Sequence, residues 1–148
     1  MRVELRLELI VVPVSDVDRA KAFYKAVGFV EDIDFASGPD FRVVRLTPPG
    51  SSTSILIGMG ITDAEPGSVE GLHLLVHDVE AARADLVFRG IDVTEVFHDV
   101  GGVFYHASPT WEVPGPDPGG RDNASFARFV DPDGNRWVLH EMRRRTTS

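Results

Sequence analysis

Residues 124–141 read ASFARFVDPDGNRWVLHE, from Ala124 to Glu141. Two runs rich in Phe, Val, Trp and Leu flank Asp131, Pro132, Asp133, Gly134 and Asn135. Pro132 presets one turn residue and Gly134 tolerates a positive φ, so the chain reverses here and the flanks pair as a β-hairpin. Such a turn alone specifies no function. Its meaning depends on the strands and helices that precede it, and on whether an earlier copy of the same unit exists.

Working back from the hairpin, residues 99–123 (DVGGVFYHASPTWEVPGPDPGGRDN) form a long loop that carries Phe104, Tyr105, His106 and Trp111 among glycines and prolines. Long loops inside compact domains are usually functional or disordered. Before it lie a strand at Ile91–His98, a helix from about Val79 to Arg89 and a strand at Val69–His77. Sliding the chain by 62 positions brings Val14, Asp16, Val17, Ala20, Ala22, Gly28 and Phe35 onto Val76, Asp78, Val79, Ala82, Ala84, Gly90 and Phe97, seven identities in 22 positions without a gap. The chain is an internal duplication.

The first copy reads in the same order. Leu5–Val14 is a strand, and Asp16 caps a helix whose apolar positions Val17, Ala20, Phe23, Tyr24 and Val27 recur at helical spacing until Gly28 stops it. Phe29–Phe35, Phe41–Thr47 and Thr53–Met59 are three further strands, divided by Gly/Pro/Ser breakers. The expected architecture is α+β: two tandem βαβββ modules, about residues 1–61 and 69–142, within one domain spanning residues 1–148, with the loop 99–123 inserted in the second.

Composition narrows the function classes. At 148 residues with 43% hydrophobic content the chain can bury one or two small cores. It has no cysteine, which removes disulfides, zinc-thiolate sites and thiol nucleophiles. A net charge of −8 repels phosphate backbones, and the basic run at residues 143–145 reads as a solvated tail, so nucleic acid is not an expected partner. The opening MRVELRLELIVV alternates charged and apolar residues and lacks the apolar core of a signal peptide, and no apolar run approaches membrane-spanning length. A cytoplasmic protein with no membrane partner is the expectation.

Two βαβββ units, each with strand-Asp-Val-helix-Gly, and a closing D-P-D-G-N hairpin followed by W-V-L-H-E resemble the vicinal oxygen chelate superfamily, also called the glyoxalase, bleomycin resistance protein and extradiol dioxygenase superfamily. The resemblance covers almost the whole chain apart from residues 99–123. It implies cupped mixed sheets with helices on their convex faces, a ligand cavity between paired modules, and a homodimer in which modules pair between chains. It also locates the metal positions of the enzymatic members, a His or Gln seven residues before each helix-capping Asp and a Glu about four residues after the hairpin Gly. These fall on Leu9, Gly71 and Val138, whose side chains offer a metal no donor. The resemblance therefore implies neither metal nor other cofactor, and no catalytic residue is assigned.

His73 and His140 each lie two residues beyond a vacant position and, by strand alternation, on the same face. Two readings stay open for them: hydrogen-bonding groups of a ligand pocket, or a displaced metal pair serving a glyoxalase-like lyase, isomerase or dioxygenase. Leu9, Val11, Pro13, Gly71 and Leu75 make the rest of that face largely apolar, whereas Ile10, Val12, Val14, Leu72, Leu74 and Val76 face the helices. The leading expectation is a metal-independent, drug-sequestering type of protein that holds a planar, apolar organic molecule. His73, His140, Trp111, Phe104, Tyr105, Leu9, Val11 and Val138 are its candidate ligand-binding residues, with Trp111 as the stacking ring.

Overall fold

In the computed structural model, which describes residues 2–100 and 111–143, Asp16 and Asp78 open the two helices in the same way. Both have extended backbones, with φ of −135° and −136°; the Asp16 carboxylate accepts the N–H of Arg19, and that of Asp78 accepts those of Glu80 and Ala81. A cap of this kind stabilises a helix by about 1 kcal/mol. Helix α1 spans Val17–Val27 and ends where Gly28, at φ 119°, turns its N–H back to the carbonyls of Tyr24 and Lys25. Helix α2 spans Val79–Phe88, and Gly90 supplies the left-handed residue after it.

The strands are β1 (Leu9–Val11), β2 (Val30–Ala36), β3 (Arg42–Thr47), β4 (Ser54–Met59), β5 (Leu72–Val76), β6 (Phe97–Asp99), β7 (Glu112–Pro114), β8 (Ser125–Val130) and β9 (Arg136–Glu141). They form two mixed sheets, ordered β1-β4-β3-β2 and β5-β9-β8-β6-β7. In each, the first strand runs parallel to the last of its copy while the other pairs are antiparallel. The duplication seen in the residues is thus repeated in the topology, and β7 is an addition at the edge of the second sheet.

Contacts cluster into two compact units: residues up to Val69 together with Asp131–Asn135, and Glu70–Val130 with the chain from Arg136. In the first, α1 packs on β3 and β4 and encloses Val12, Ala20, Tyr24, Val44, Leu46 and Ile57, all fully buried. In the second, α2 packs on β8 and β9, with Val79, Leu86, Phe129, Trp137 and Leu139 buried and the Phe129 and Trp137 rings stacked. Each such side chain contributes roughly 1.5–3 kcal/mol by leaving water.

The hairpin of residues 124–141 forms as expected, with β8 and β9 joined through the five-residue turn. Three expectations need correction. The strand read over Leu5–Val14 is only Leu9–Val11, because its ladder partner β4 begins at Ser54 and residues before Leu9 have no strand beside them. The strand read over Ile91–His98 is reduced to Phe97–Asp99. Arg83 takes the carbonyls of Val93 and Thr94 with its guanidinium and the Thr94 hydroxyl accepts the Arg128 N–H, so side chains interrupt the ladder there and leave isolated main-chain bonds such as that from the Thr94 N–H to the Arg128 carbonyl. The segment 99–123 also holds regular structure, since Glu112–Pro114 pairs antiparallel with β6.

Candidate functional site

Strand alternation places Gly71, His73 and Leu75 on the side of the second sheet away from α2. The register then brings their neighbours: His73 lies beside Val138, Leu75 beside His140, and His140 beside Phe126. Glu141, next to His140, points the other way, where its buried carboxylate accepts the N–H of Val79 at the start of α2. The α2-distal face therefore gathers His73, Val138, His140, Phe126, Arg128 and Phe97.

The two histidines meet directly. Their Nδ1 atoms are 3.0 Å apart, and the Nε2 of His140 lies 2.5 Å from the amide oxygen of Asn123. Burial lowers the pKa of both rings, and in His140 the adjacent His73 adds to the effect, so both favour the neutral form. The Phe126 ring meets His140 edge-on at 5.2 Å and Phe97 at 5.8 Å. The Arg128 guanidinium sits 4.4 Å over the Phe97 ring and forms an ion pair with Glu112. Phe97, Phe126 and Val138 make one buried apolar cluster. The result is an aromatic and aliphatic floor carrying a neutral imidazole pair at one end and a guanidinium, charge-balanced and stacked, at the other.

Of the candidate residues, His73, His140 and Val138 are brought together on this face. Leu9 and Val11 lie on β1 in the first unit, half-buried. Trp111 directly precedes β7; its carbonyl accepts the Val100 N–H and the residue is 44% exposed. Phe104 and Tyr105 lie outside the described residues. Phe97, Phe126, Arg128 and Asn123 were not singled out in the sequence, although Phe126 and Arg128 belong to the hairpin and alternate towards the side of His140.

Neither Leu9, Gly71 nor Val138 carries a donor atom, and among the described residues no three His, Asp or Glu side chains converge where a metal ion would be held. The described residues do not fit the divalent metal of the enzymatic superfamily members. A separate cleft of about 540 Å³ lies in the first unit beside the start of α1. Asp16, Asp18, Asp63 and Glu65 rim it, and Arg42, its one cation among the described residues, is already bound to Asp18 and Asp34. A rim of carboxylates suits an apolar ligand poorly, so the histidine-bearing face is the stronger candidate.

Two βαβββ modules, each with an aspartate-capped helix on a mixed sheet, define the class of protein, and known structures agree. TnmS3, an antibiotic binding protein from Streptomyces sp. CB03234, is 31% identical across 95% of this chain and 98% of its own, with a TM-score of 0.68. A glyoxalase/bleomycin resistance protein from the same strain is 32% identical across 92% of this chain and 100% of its own, with a TM-score of 0.65. A member of the superfamily from Sphaerobacter thermophilus DSM 20745 is 26% identical across 94% of this chain and 98% of its own, with a TM-score of 0.67. No family model matches the chain, and no curated protein does. The chain belongs to the glyoxalase/bleomycin resistance protein/dioxygenase superfamily.

Proposed function

We propose that this protein binds a planar, largely apolar organic molecule and holds it without converting it, in the manner of a drug-sequestering protein. The observation that carries the reading is the α2-distal face of the second sheet. Phe97, Phe126 and Val138 supply the buried apolar floor, and the neutral His73–His140 pair supplies directional hydrogen bonding. The likeness to an antibiotic binding protein at 31% identity supports a small-molecule ligand. Trp111 is the proposed stacking ring.

The working form is proposed to be a homodimer with the ligand cavity at its interface. β2 is the edge strand of the first sheet and leaves Val30, Ile33 and Phe35 more than half exposed, an apolar edge of the kind proteins cover by association. The test of the ligand reading is to titrate an anthracycline while following tryptophan emission. Trp137 is 3% exposed and stacked on Phe129, so a change in emission that disappears in Trp111→Ala reports the proposed site. No change in the wild type, or product formed from the ligand, contradicts it.

A further inference from the structure

Residues 2–8 read RVELRLE and lie ahead of β1, tied at their end where the Thr53 hydroxyl donates to the Leu7 carbonyl and the Ser54 N–H to the Glu8 carbonyl. Val3, Leu5 and Leu7 are 76%, 91% and 66% exposed, and among the described residues no main-chain hydrogen bond reaches residues 2–6. The Arg6 guanidinium donates to the Glu4 carboxylate at 2.8 Å, as alternate residues on one side of a strand can. The period of two that marks a strand is therefore present without a neighbouring strand. Three large apolar side chains stand in water beside a row of main-chain groups open to pairing.

The pattern selects its own partner. Opposite charges directly across an antiparallel pair stabilise it and like charges destabilise it. Two copies laid antiparallel about Leu5 set Arg2 against Glu8, Glu4 against Arg6, Val3 against Leu7 and Leu5 against itself. Every charge then meets its opposite and every apolar side chain another. A slip by two residues sets Glu4 against itself and Arg2 against Arg6, or Arg6 against itself and Glu4 against Glu8. A slip by one sets charges against apolar side chains. Parallel pairing in line opposes each charge to its own kind; offset by two it matches charges, but it is not two-fold and leaves a charge over at each end. Glu8 holds Arg45 within its own chain through one oxygen and, with its side chain 68% exposed, keeps the other for Arg2 of the partner subunit.

We propose that residues 2–8 are a self-complementary arm that pairs antiparallel with the same residues of a second copy, Leu5 lying on the two-fold axis. The arm is a contact of the dimer proposed above and rests on that reading. Because the chain has no cysteine, single cysteines read the register directly. Directly opposed residues of an antiparallel pair fall within disulfide reach, and residues several places apart do not. Under mild oxidation Leu5→Cys is expected to give a covalent dimer and Val3→Cys is not, whereas Val3→Cys mixed with Leu7→Cys gives the mixed disulfide. Charge reversal is the second measurement. Glu4→Arg or Arg6→Glu alone sets like charges together twice across the axis and is expected to weaken dimerisation about ten-fold at low ionic strength. Mixing the two variants restores every opposite pair, so native mass spectrometry is expected to show the mixed dimer in excess of a statistical distribution. Both side chains are largely exposed, at 71% and 80%, so the fold does not depend on them. Equal cross-linking of Leu5→Cys and Val3→Cys, or a statistical mixture of the charge variants, overturns the arm and leaves the dimer standing. Weakened dimerisation without a Leu5→Cys cross-link, the outcome if the arm lies along another edge of the partner, overturns it as well. A monomeric wild type overturns both the arm and the dimer.

Discussion

Tyr24 and Asp131 are 107 positions apart in the chain, yet the Tyr24 hydroxyl donates to the Asp131 carboxylate at 2.7 Å with both residues buried. The same carboxylate accepts the N–H groups of Asp133 and Asn135 and the Asn135 side-chain amide, whose oxygen takes the Val69 N–H. The hairpin turn is therefore held by the first module's helix as well as by its own strands. Tyr24→Phe removes one donor from a saturated buried carboxylate and should lower unfolding free energy by about 1–3 kcal/mol. Chemical denaturation checks this; a change within ~0.5 kcal/mol would mean that the bond adds little.

Acidification should weaken the fold through the histidine pair before it does so through Asp34. His73 and His140 have folded pKa values below their ordinary range, so their neutral forms favour the native state; that contribution is complete above the unfolded value of about 6.5 and is lost as pH falls towards the folded values. Asp34 has the same sign but a lower window: Arg42 and then Lys21 hold its carboxyl well below the usual carboxylate range, so its contribution is kept down to the unfolded value of about 4 and is lost only as pH falls further. The melting temperature should decline from about pH 6.5 downward, and His73→Ala/His140→Ala should flatten that decline. An unaltered slope in the double variant would contradict the assignment.

Much of this was legible in the residues. The gap-free repeat and the aspartate caps gave both helices and the paired modules, because capping and turn chemistry act locally. His73 and His140 were found by alternation alone. Phe97, Phe126 and Arg128 were not, since their nearness to the histidines depends on the register of β6, β8 and β9, which no single segment encodes. Asn123 was hidden further, in a turn whose importance lies in one side chain reaching one imidazole nitrogen. The segment 92–96 misled in the opposite direction: the Arg83 and Thr94 side chains take part of its backbone bonding and leave isolated main-chain bonds in place of a regular ladder.

Trp111→Ala should weaken anthracycline binding roughly two- to ten-fold, the equivalent of losing an aromatic stack of about 0.5–1.5 kcal/mol. Calorimetric titration measures it. Undiminished affinity would show that Trp111 serves only to anchor its segment.

Sedimentation at micromolar concentration should give the mass of a dimer. Ile33→Lys and Phe35→Glu together, placed on the exposed edge strand, should shift it towards monomer if that edge takes part. A monomeric wild type would remove the dimeric cavity from the proposal.

Equilibrium dialysis against an anthracycline, followed by chromatography of the recovered ligand, tests the central claim most directly because it counts bound and converted ligand together. The account predicts saturable retention by the wild type, chemically unchanged ligand, and retention weakened about ten-fold or more in His73→Ala/His140→Ala. Absent retention, equal retention by the double variant, or a new product in the recovered ligand would contradict it.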